Sequence, residues 1–346
     1  MSVRPAPIEL LPWALSSLGR ASSGAAPELS VVAGDASHRR YFRLALDERS
    51  YVLAEAPPAT EKNEAFLRVA TLLAGAGIKV PAVLDADLQR GFLLLEDLGD
   101  RLLLPALDGV SADAHYQRAF AVLLKMTAIA TQQAGLGNYD QPLLSEELGR
   151  FGEWFVQRLL GHESGERDQA VLSALFARLI DSALEQPRVL VHRDFHSRNL
   201  MLMHDGDLAV IDFQDAVVGP VTYDLVSLLR DCYIRWPVAR VEAWALAYCA
   251  QLRAGGLLQD VDDARVLCWI DWMGLQRHLK VLGTFARLSL RDGKAAYLDD
   301  LPRVLQYVLE ILEKYAPTDA AFADFKSWFE QNLSPLIARQ PWSKQA

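Results

Sequence analysis

The chain has 346 residues, enough for one large domain or for two lobes that each bury a core. Its residues are 51% hydrophobic and 23% charged, which is ordinary for a globular protein in water. The net charge of −9 argues against a surface built for nucleic acid, and no apolar run reaches the length that spans a bilayer. Three widely spaced cysteines, Cys232, Cys249 and Cys268, form no CxxC pair and are typical of reduced thiols. We therefore expect a cytoplasmic protein, monomeric, with no nucleic-acid or membrane partner.

The first hundred residues predict a small sheet with one helix packed beside it. Glu9 and Pro12 interrupt the apolar N-terminus, which favours a docking helix over 8–18 and not a signal peptide. A linker rich in glycine, alanine and serine follows at 19–27. Strands are predicted at 29–33, 41–46, 51–56, 83–86 and 92–96, and a helix at 62–74.

From residue 111 onward, long amphipathic helices dominate the pattern. They are interrupted at 189–213 by three short apolar strands. The sequence therefore predicts an α+β fold with two lobes: a β-rich N-terminal lobe over 1–98 and a larger helical lobe over 99–346.

The most informative motif lies among those strands. Residues 192–199 read HRDFHSRN, and Asp212 follows in the apolar run VIDF. This HRDxxxxN … DF spacing is typical of kinase-type sites, where one Asp accepts the proton of an attacking hydroxyl and an Asn and a second Asp hold Mg²⁺ against ATP. It makes Asp194 the candidate base, with a loop cap as the alternative. A hairpin over 200–211 would bring Asn199 and Asp212 to one end, where their oxygens suit Mg²⁺.

These motifs, with the two-lobed pattern, resemble the aminoglycoside phosphotransferase and choline kinase-like family, which has a bilobal protein-kinase-like fold. The segments 34–43, 56–58 and 274–280 are similar to a narrower group, the bacterial anomeric sugar kinases of peptidoglycan recycling. That resemblance implies ATP-dependent phosphorylation of N-acetylmuramate or N-acetylglucosamine at the C1 hydroxyl.

The resemblance also assigns a nucleotide site, from which this chain departs. Family members carry a lysine on the third strand for the ATP phosphates, and residues 51–56 contain none. We expect Arg40 or Arg43 to replace it, with Ser37 and His38 in the loop over the phosphates; the alternative makes Arg39 and Arg40 a solvated surface pair. The adenine would bind main-chain groups near Glu96 and Leu98.

The segment 215–224 predicts a small acceptor. A short Gly-Pro turn leads directly to the next helix, which leaves no room for the activation loop of a protein kinase. Asp224 is expected to hold the catalytic loop, and Asp215 to assist the metal or form a turn. Candidate acceptor contacts are His196, Arg198, Trp154, Arg277 and Lys280. The structural alternatives are solvated loop positions for the first two, core filling for the tryptophan and helix-surface charge for the last two.

Three functions remain open from the sequence. The first is an ATP- and Mg²⁺-dependent kinase of amino sugars. The second is an aminoglycoside, choline or homoserine kinase of the same fold. The third, supported only by the missing lysine, is a pseudokinase that binds without catalysis.

Overall fold

The computed structural model describes residues 5–20, 27–32 and 39–344. Ser37, His38 and most of the predicted linker at 19–27 lie outside the described residues. The chain divides into two compact units, one made of residues 1–125 with 198–216 and the other of 126–197 with 217–346. The lobe boundary at residues 98 and 99 stays a prediction.

The first unit is built on an antiparallel sheet of five strands in the order β1-β2-β3-β5-β4. The strands are β1 Leu29–Val32, β2 Arg40–Leu46, β3 Arg49–Glu55, β4 Val83–Asp87 and β5 Phe92–Glu96. All five lie within two residues of their predicted bounds, because alternating apolar residues and turn residues mark their ends. At the β4–β5 turn Gly91 has φ +72°, and a Cβ there would lie 2.1 Å from the Ala56 carbonyl oxygen. Only glycine fits that turn.

Three helices precede, separate and follow the strands of this sheet along the chain. α1 Leu10–Ser17 packs Leu10 and Ala14 against Phe42, Leu53 and Leu94, and all five side chains are buried. The predicted docking helix is thus confirmed. α2 Asn63–Gly75 buries the predicted face of Phe66, Val69, Ala70 and Leu73. α3 Ala112–Thr127 follows.

A two-stranded hairpin completes the first unit. β8 Leu200–Leu202 pairs with β9 Leu208–Val210 in antiparallel register, with Leu200 opposite Val210. Single bridges join Lys79 to Ala209 and Leu102 to Met201. The predicted hairpin is confirmed, and it places residues 199 and 211 opposite each other.

The second unit is mostly helical. Its helices are α4 Gln141–Arg150, a π-helix Phe151–Leu159, α5 Glu166–Leu184, α6 Tyr223–Leu229, α7 Val238–Ala254, α8 Asp263–Asp292, α9 Leu301–Tyr315, α10 Ala320–Trp328, a short π-helix Phe329–Leu333 and α11 Ser334–Ile337. Within the described ranges, no helix is both long and apolar enough to cross a membrane.

One small sheet in this unit differs from the prediction. β6 Gly137–Asn138, β7 Arg188–Val191 and β10 Val217–Pro220 form a sheet in the order β6-β10-β7. Residues 217–220, which include the predicted Gly-Pro turn, form a strand antiparallel to β7. The physical reason is that β7 is a buried strand whose backbone groups need a partner, and the β-branched Val217 and Val218 supply one.

Candidate active site

The loop 192–197 leaves the buried end of β7 and is held by two carboxylates. Asp224, at the start of α6, accepts the backbone N–H of His192 at 2.6 Å and that of Arg193 at 3.0 Å. Asp231 accepts from the backbone N–H and the hydroxyl of Ser197, at 2.9 and 2.5 Å. The predicted role of Asp224 is confirmed. Asp231 was not anticipated, and it fixes the other end of the loop.

Asp194 lies between those two anchors, and its backbone N–H donates to Nδ1 of His192 at 3.2 Å. Burial favours the neutral acid, but Lys280, His196, Arg277 and Arg193 together hold the pKa of Asp194 well below its usual range. The carboxylate is therefore ionised at neutral pH and able to accept a hydrogen bond from a hydroxyl.

Glu147 of α4 interacts with two cations and one hydroxyl, and one of these cations, Arg193, belongs to the loop. This fully buried carboxylate pairs with Arg193 and with Lys280, whose Nζ lies 3.0 Å away. Tyr139 donates its hydroxyl to Glu147, and Gln276 donates to Tyr139 at 3.2 Å. Burial raises the pKa of Glu147, but the two cations prevail and bring it to about 2. Tyr139 and the α8 residues Gln276 and Lys280 thus meet at one buried carboxylate, although α8 is far from Tyr139 in sequence.

Arg277 is held differently from Lys280, although both lie on α8. Its Nε donates to the Ser227 hydroxyl at 2.8 Å and its Nη1 to the Cys232 sulfur at 3.3 Å. Arg277 is only 3% exposed, so the alternative of a solvated helix-surface charge is wrong for it. Lys280, at 8%, is likewise buried.

The hairpin in the first unit brings Asn199 and Asp212 together. Ile211 donates its backbone N–H to the Asn199 carbonyl at 3.1 Å, and Asn199 Nδ2 lies 3.4 Å from Asp212 Oδ2. Asp212 has φ 63° and Arg193 has φ 76°, left-handed conformations that cost energy in residues other than glycine and cluster at active sites.

This pair of side chains suits Mg²⁺ better than metals that need a full protein cage. Among the described residues, no group of three or more His, Cys, Asp or Glu side chains converges on one point. Mg²⁺ binds through one or two protein oxygens, with water and phosphates filling the remaining positions. The residues present therefore fit a nucleotide-associated Mg²⁺ site.

Arg40 and Arg43, the arginines expected to contact the nucleotide, both pair with carboxylates. Arg40 pairs with Glu55, its cross-strand neighbour on β3, with Nε to Oε2 at 2.5 Å. Arg43 binds Asp97 at 2.6 Å and Asp100 at 2.8 Å, which ties β2 to the segment after β5. The Glu96 side chain is taken by Lys79 at 2.6 Å, and Leu98 is half-buried.

Arg39 was not one of the arginines expected to replace the lysine, but it is the most deeply buried of the three. It is 2% exposed, so the alternative of a solvated surface pair is wrong for it. Its guanidinium lies 3.5 Å from Glu61, 3.4 Å from Asn63 Oδ1 and 4.9 Å over the Phe66 ring. Burial raises the pKa of Tyr41, and the charges of Arg39 and Asp212 also act on it. Arg39 and Asp212 therefore lie near the same side chain.

The remaining acceptor candidates, His196, Arg198 and Trp154, lie in other surroundings. His196 packs edge-on against Tyr233, with ring centroids 5.4 Å apart, and Arg198 is half-buried at the start of the hairpin. Trp154, on the π-helix Phe151–Leu159, stacks with Arg158 of the same helix at 4.2 Å. Asp215 forms an ion pair with Lys62 at 2.7 Å.

Comparison with known proteins identifies the family. A model of the phosphotransferase enzyme family matches residues 28–258. The protein named N-acetylmuramate/N-acetylglucosamine kinase from Pseudomonas putida is 43% identical over 83% of this chain and 84% of its own length. Its namesake from Neisseria meningitidis is 39% identical over 86% of this chain and 89% of its own length.

Solved structures support the same fold. Choline kinase LicA from Streptococcus pneumoniae superposes with a TM-score of 0.59 at 16% identity, covering 87% of this chain and 98% of its own. A thermostable mutant of aminoglycoside phosphotransferase APH(4)-Ia gives 0.58 at 20% identity, covering 89% and 100%. The predicted kinase-like fold and the family resemblance are confirmed, and the chain belongs to the phosphotransferase enzyme family.

Proposed function

We propose that this chain is an ATP- and Mg²⁺-dependent kinase that phosphorylates the anomeric hydroxyl of N-acetylmuramate, N-acetylglucosamine or both, as a step of peptidoglycan recycling. The observation that carries the proposal is the 43% identity, over most of both chains, to proteins named N-acetylmuramate/N-acetylglucosamine kinase. The ionised, cation-surrounded Asp194 supplies the chemistry that such an activity requires.

In the proposed reaction, Asp194 accepts the proton of the sugar C1 hydroxyl. The C1 oxygen forms a bond to the γ-phosphorus of ATP while the bond between that phosphorus and the β–γ bridging oxygen breaks, leaving ADP. Asp224 and Asp231 fix the loop so that the Asp194 carboxylate is oriented before the sugar arrives.

On the nucleotide side, Asn199 and Asp212 would hold the Mg²⁺, which neutralises charge on the transferred phosphoryl group. Arg39, paired with Glu61 at 3.5 Å, is proposed to take the place of the family's lysine. Arg40 and Arg43 also pair with carboxylates and remain proposed contacts of the nucleotide. Arg39 is favoured for the part of the lysine because it is almost fully buried and acts, like Asp212, on Tyr41. Ser37 and His38 remain proposed contacts of the phosphates, and main-chain groups near Glu96 and Leu98 of the adenine.

The charge around Asp194 disfavours a cationic acceptor. An aminoglycoside or choline would have to approach a carboxylate already surrounded by Lys280, Arg277 and Arg193. A neutral or anionic sugar meets no such repulsion. His196, Arg198 and Trp154 remain proposed sugar contacts.

The test is ³¹P NMR of reactions with Mg-ATP and each of N-acetylmuramate, N-acetylglucosamine, choline, homoserine and an aminoglycoside. We expect an acid-labile sugar 1-phosphate with at least one amino sugar. The matched variant Asp194→Asn should lower kcat about 10²- to 10⁴-fold. Absence of a C1 phosphate with both sugars would contradict the proposal, and absence of acceptor-dependent ADP release throughout would favour a pseudokinase.

A further inference from the structure

Two buried cations of α8 act on Asp194, and they differ in how their charge is balanced. Lys280 forms an ion pair with Glu147, 3.0 Å away, and also donates to the Tyr223 hydroxyl at 3.0 Å. Arg277 has only neutral hydrogen-bond partners, the Ser227 hydroxyl and the Cys232 thiol. Burial raises the pKa of Cys232, so this thiol carries no charge at neutral pH.

Among the described residues, no carboxylate forms an ion pair with Arg277. The nearby acids are committed elsewhere: Glu147 to Arg193 and Lys280, and Asp231 to Ser197. Asp194 acts on Arg277 through its charge without a hydrogen bond between them. A guanidinium that is 3% exposed and lacks a direct counter-ion is costly to bury.

The guanidinium is nevertheless oriented. Ser227 of α6 and Cys232, three residues after α6 ends, hold two of its nitrogens, Nε and Nη1. The third nitrogen, Nη2, makes no hydrogen bond to a described residue. An arginine fixed in this way offers a ready site for an anionic group, and guanidinium binds carboxylates with strong, directional hydrogen bonds.

We propose that Arg277 binds the carboxylate of the acceptor sugar and so determines preference between the two amino sugars. This inference rests on the proposed function. Of the two sugars in the relatives' name, only N-acetylmuramate carries a carboxylate, on its lactyl ether. Arg277 thus gains the counter-ion it lacks when that sugar is bound next to Asp194.

The experiment compares kcat/KM for the two sugars in the wild-type protein, Arg277→Met and Arg277→Lys. We expect Arg277→Met to lower the ratio of kcat/KM for N-acetylmuramate to kcat/KM for N-acetylglucosamine about 30-fold, mainly through KM, because the charge-assisted hydrogen bonds to the carboxylate are lost. Arg277→Lys keeps the charge and should restore part of the ratio. Lys280→Met, a buried cation three residues away, should reduce both activities together.

A measurement on the wild-type protein covers the case in which a variant fails to fold. The amide of N-acetylmuramate, with a carboxamide in place of the carboxylate, should lose a similar factor in kcat/KM. Equal losses for both sugars in Arg277→Met, or full activity on the amide, would overturn the inference while leaving the proposed function intact. Inactivity of the wild-type protein on both sugars would instead overturn the proposed function.

Discussion

Asp224 holds the backbone of the loop 192–197, and its carboxylate is buried, which disfavours the ionised form. Burial is the largest influence and raises the pKa of Asp224 to about 6, although His192 and two backbone N–H groups favour the ionised form. An unfolded aspartate titrates near pH 3.9. The native chain therefore retains a proton on Asp224 over a range where the unfolded chain has lost it.

This difference makes stability depend on pH in a defined direction. Stabilisation from the Asp224 proton is complete below about pH 3.9 and is lost as the pH rises through about 6. Asparagine does not titrate. The free energy of unfolding of the wild type, taken relative to that of Asp224→Asn, should therefore fall by about 1 kcal/mol between pH 5 and pH 7. Urea unfolding of both proteins at the two pH values measures it. A gap that stays constant would show that Asp224 titrates normally.

Single residues also show what a linear pattern can and cannot reveal. Asp194, Asn199 and Asp212 were found because their spacing is set by one loop and one hairpin, which are local in sequence. The surroundings of Arg39 and Arg277 were not predictable in this way, because they come from residues far along the chain. Whether an arginine is solvated or buried, and whether it pairs with Glu61 or only with neutral groups, depends on packing that periodicity does not encode.

At the scale of the helices, α8 packs closely against the backbone at the end of α4. At Gly283 a Cβ would lie 2.3 Å from the Arg150 carbonyl carbon, where α4 passes into the π-helix Phe151–Leu159. This close approach fixes α8, on which Arg277 and Lys280 sit, against the end of the helix that carries Glu147. The charge pair between Lys280 and Glu147 depends on that contact.

Gly283→Ala should therefore destabilise the protein by about 1–3 kcal/mol, because the backbone at Arg150 must move to admit a methyl group. Gly149→Ala, in α4, is the matched control. No atom lies within 4 Å of its Cβ position, and alanine favours helix by up to about 1 kcal/mol. Urea midpoints of the two variants should move in opposite directions. Equal midpoints would show that α8 does not pack this closely.

A strand was predictable where turn residues in its own sequence mark its ends. It was not predictable where the strand forms because a distant strand needs a pairing partner. The sheet β1 to β5 has turn residues at each strand end, so its bounds followed from the pattern. β10 was missed because Gly219-Pro220 reads as a turn. It forms a strand because β7, far away in sequence, requires a neighbour for its backbone groups. The π-helix likewise has no sequence signal that the periodicity could detect.

Over the whole chain, the two halves of the proposed chemistry fall in different units. Asn199, Asp212 and Arg39 belong to the unit that contains the five-stranded sheet, whereas Asp194 and its cations belong to the helical unit. The motif 192–199 crosses from one unit to the other between residues 197 and 198. Binding of nucleotide and activation of the acceptor should therefore be separable by substitution.

Thermal unfolding with Mg²⁺ and AMP-PNP, a nucleotide that is not turned over, measures that separation. A ligand at 100 times its Kd stabilises a native protein by about 2.7 kcal/mol, which raises the Tm. Asp212→Asn removes a proposed metal ligand and should abolish most of the rise, and Arg39→Met should reduce it. Asp194→Asn should retain the full rise while turnover is lost, because its carboxylate is proposed to contact the sugar and not the nucleotide. Loss of the Tm rise in Asp194→Asn, or its persistence in Asp212→Asn, would contradict this division of roles.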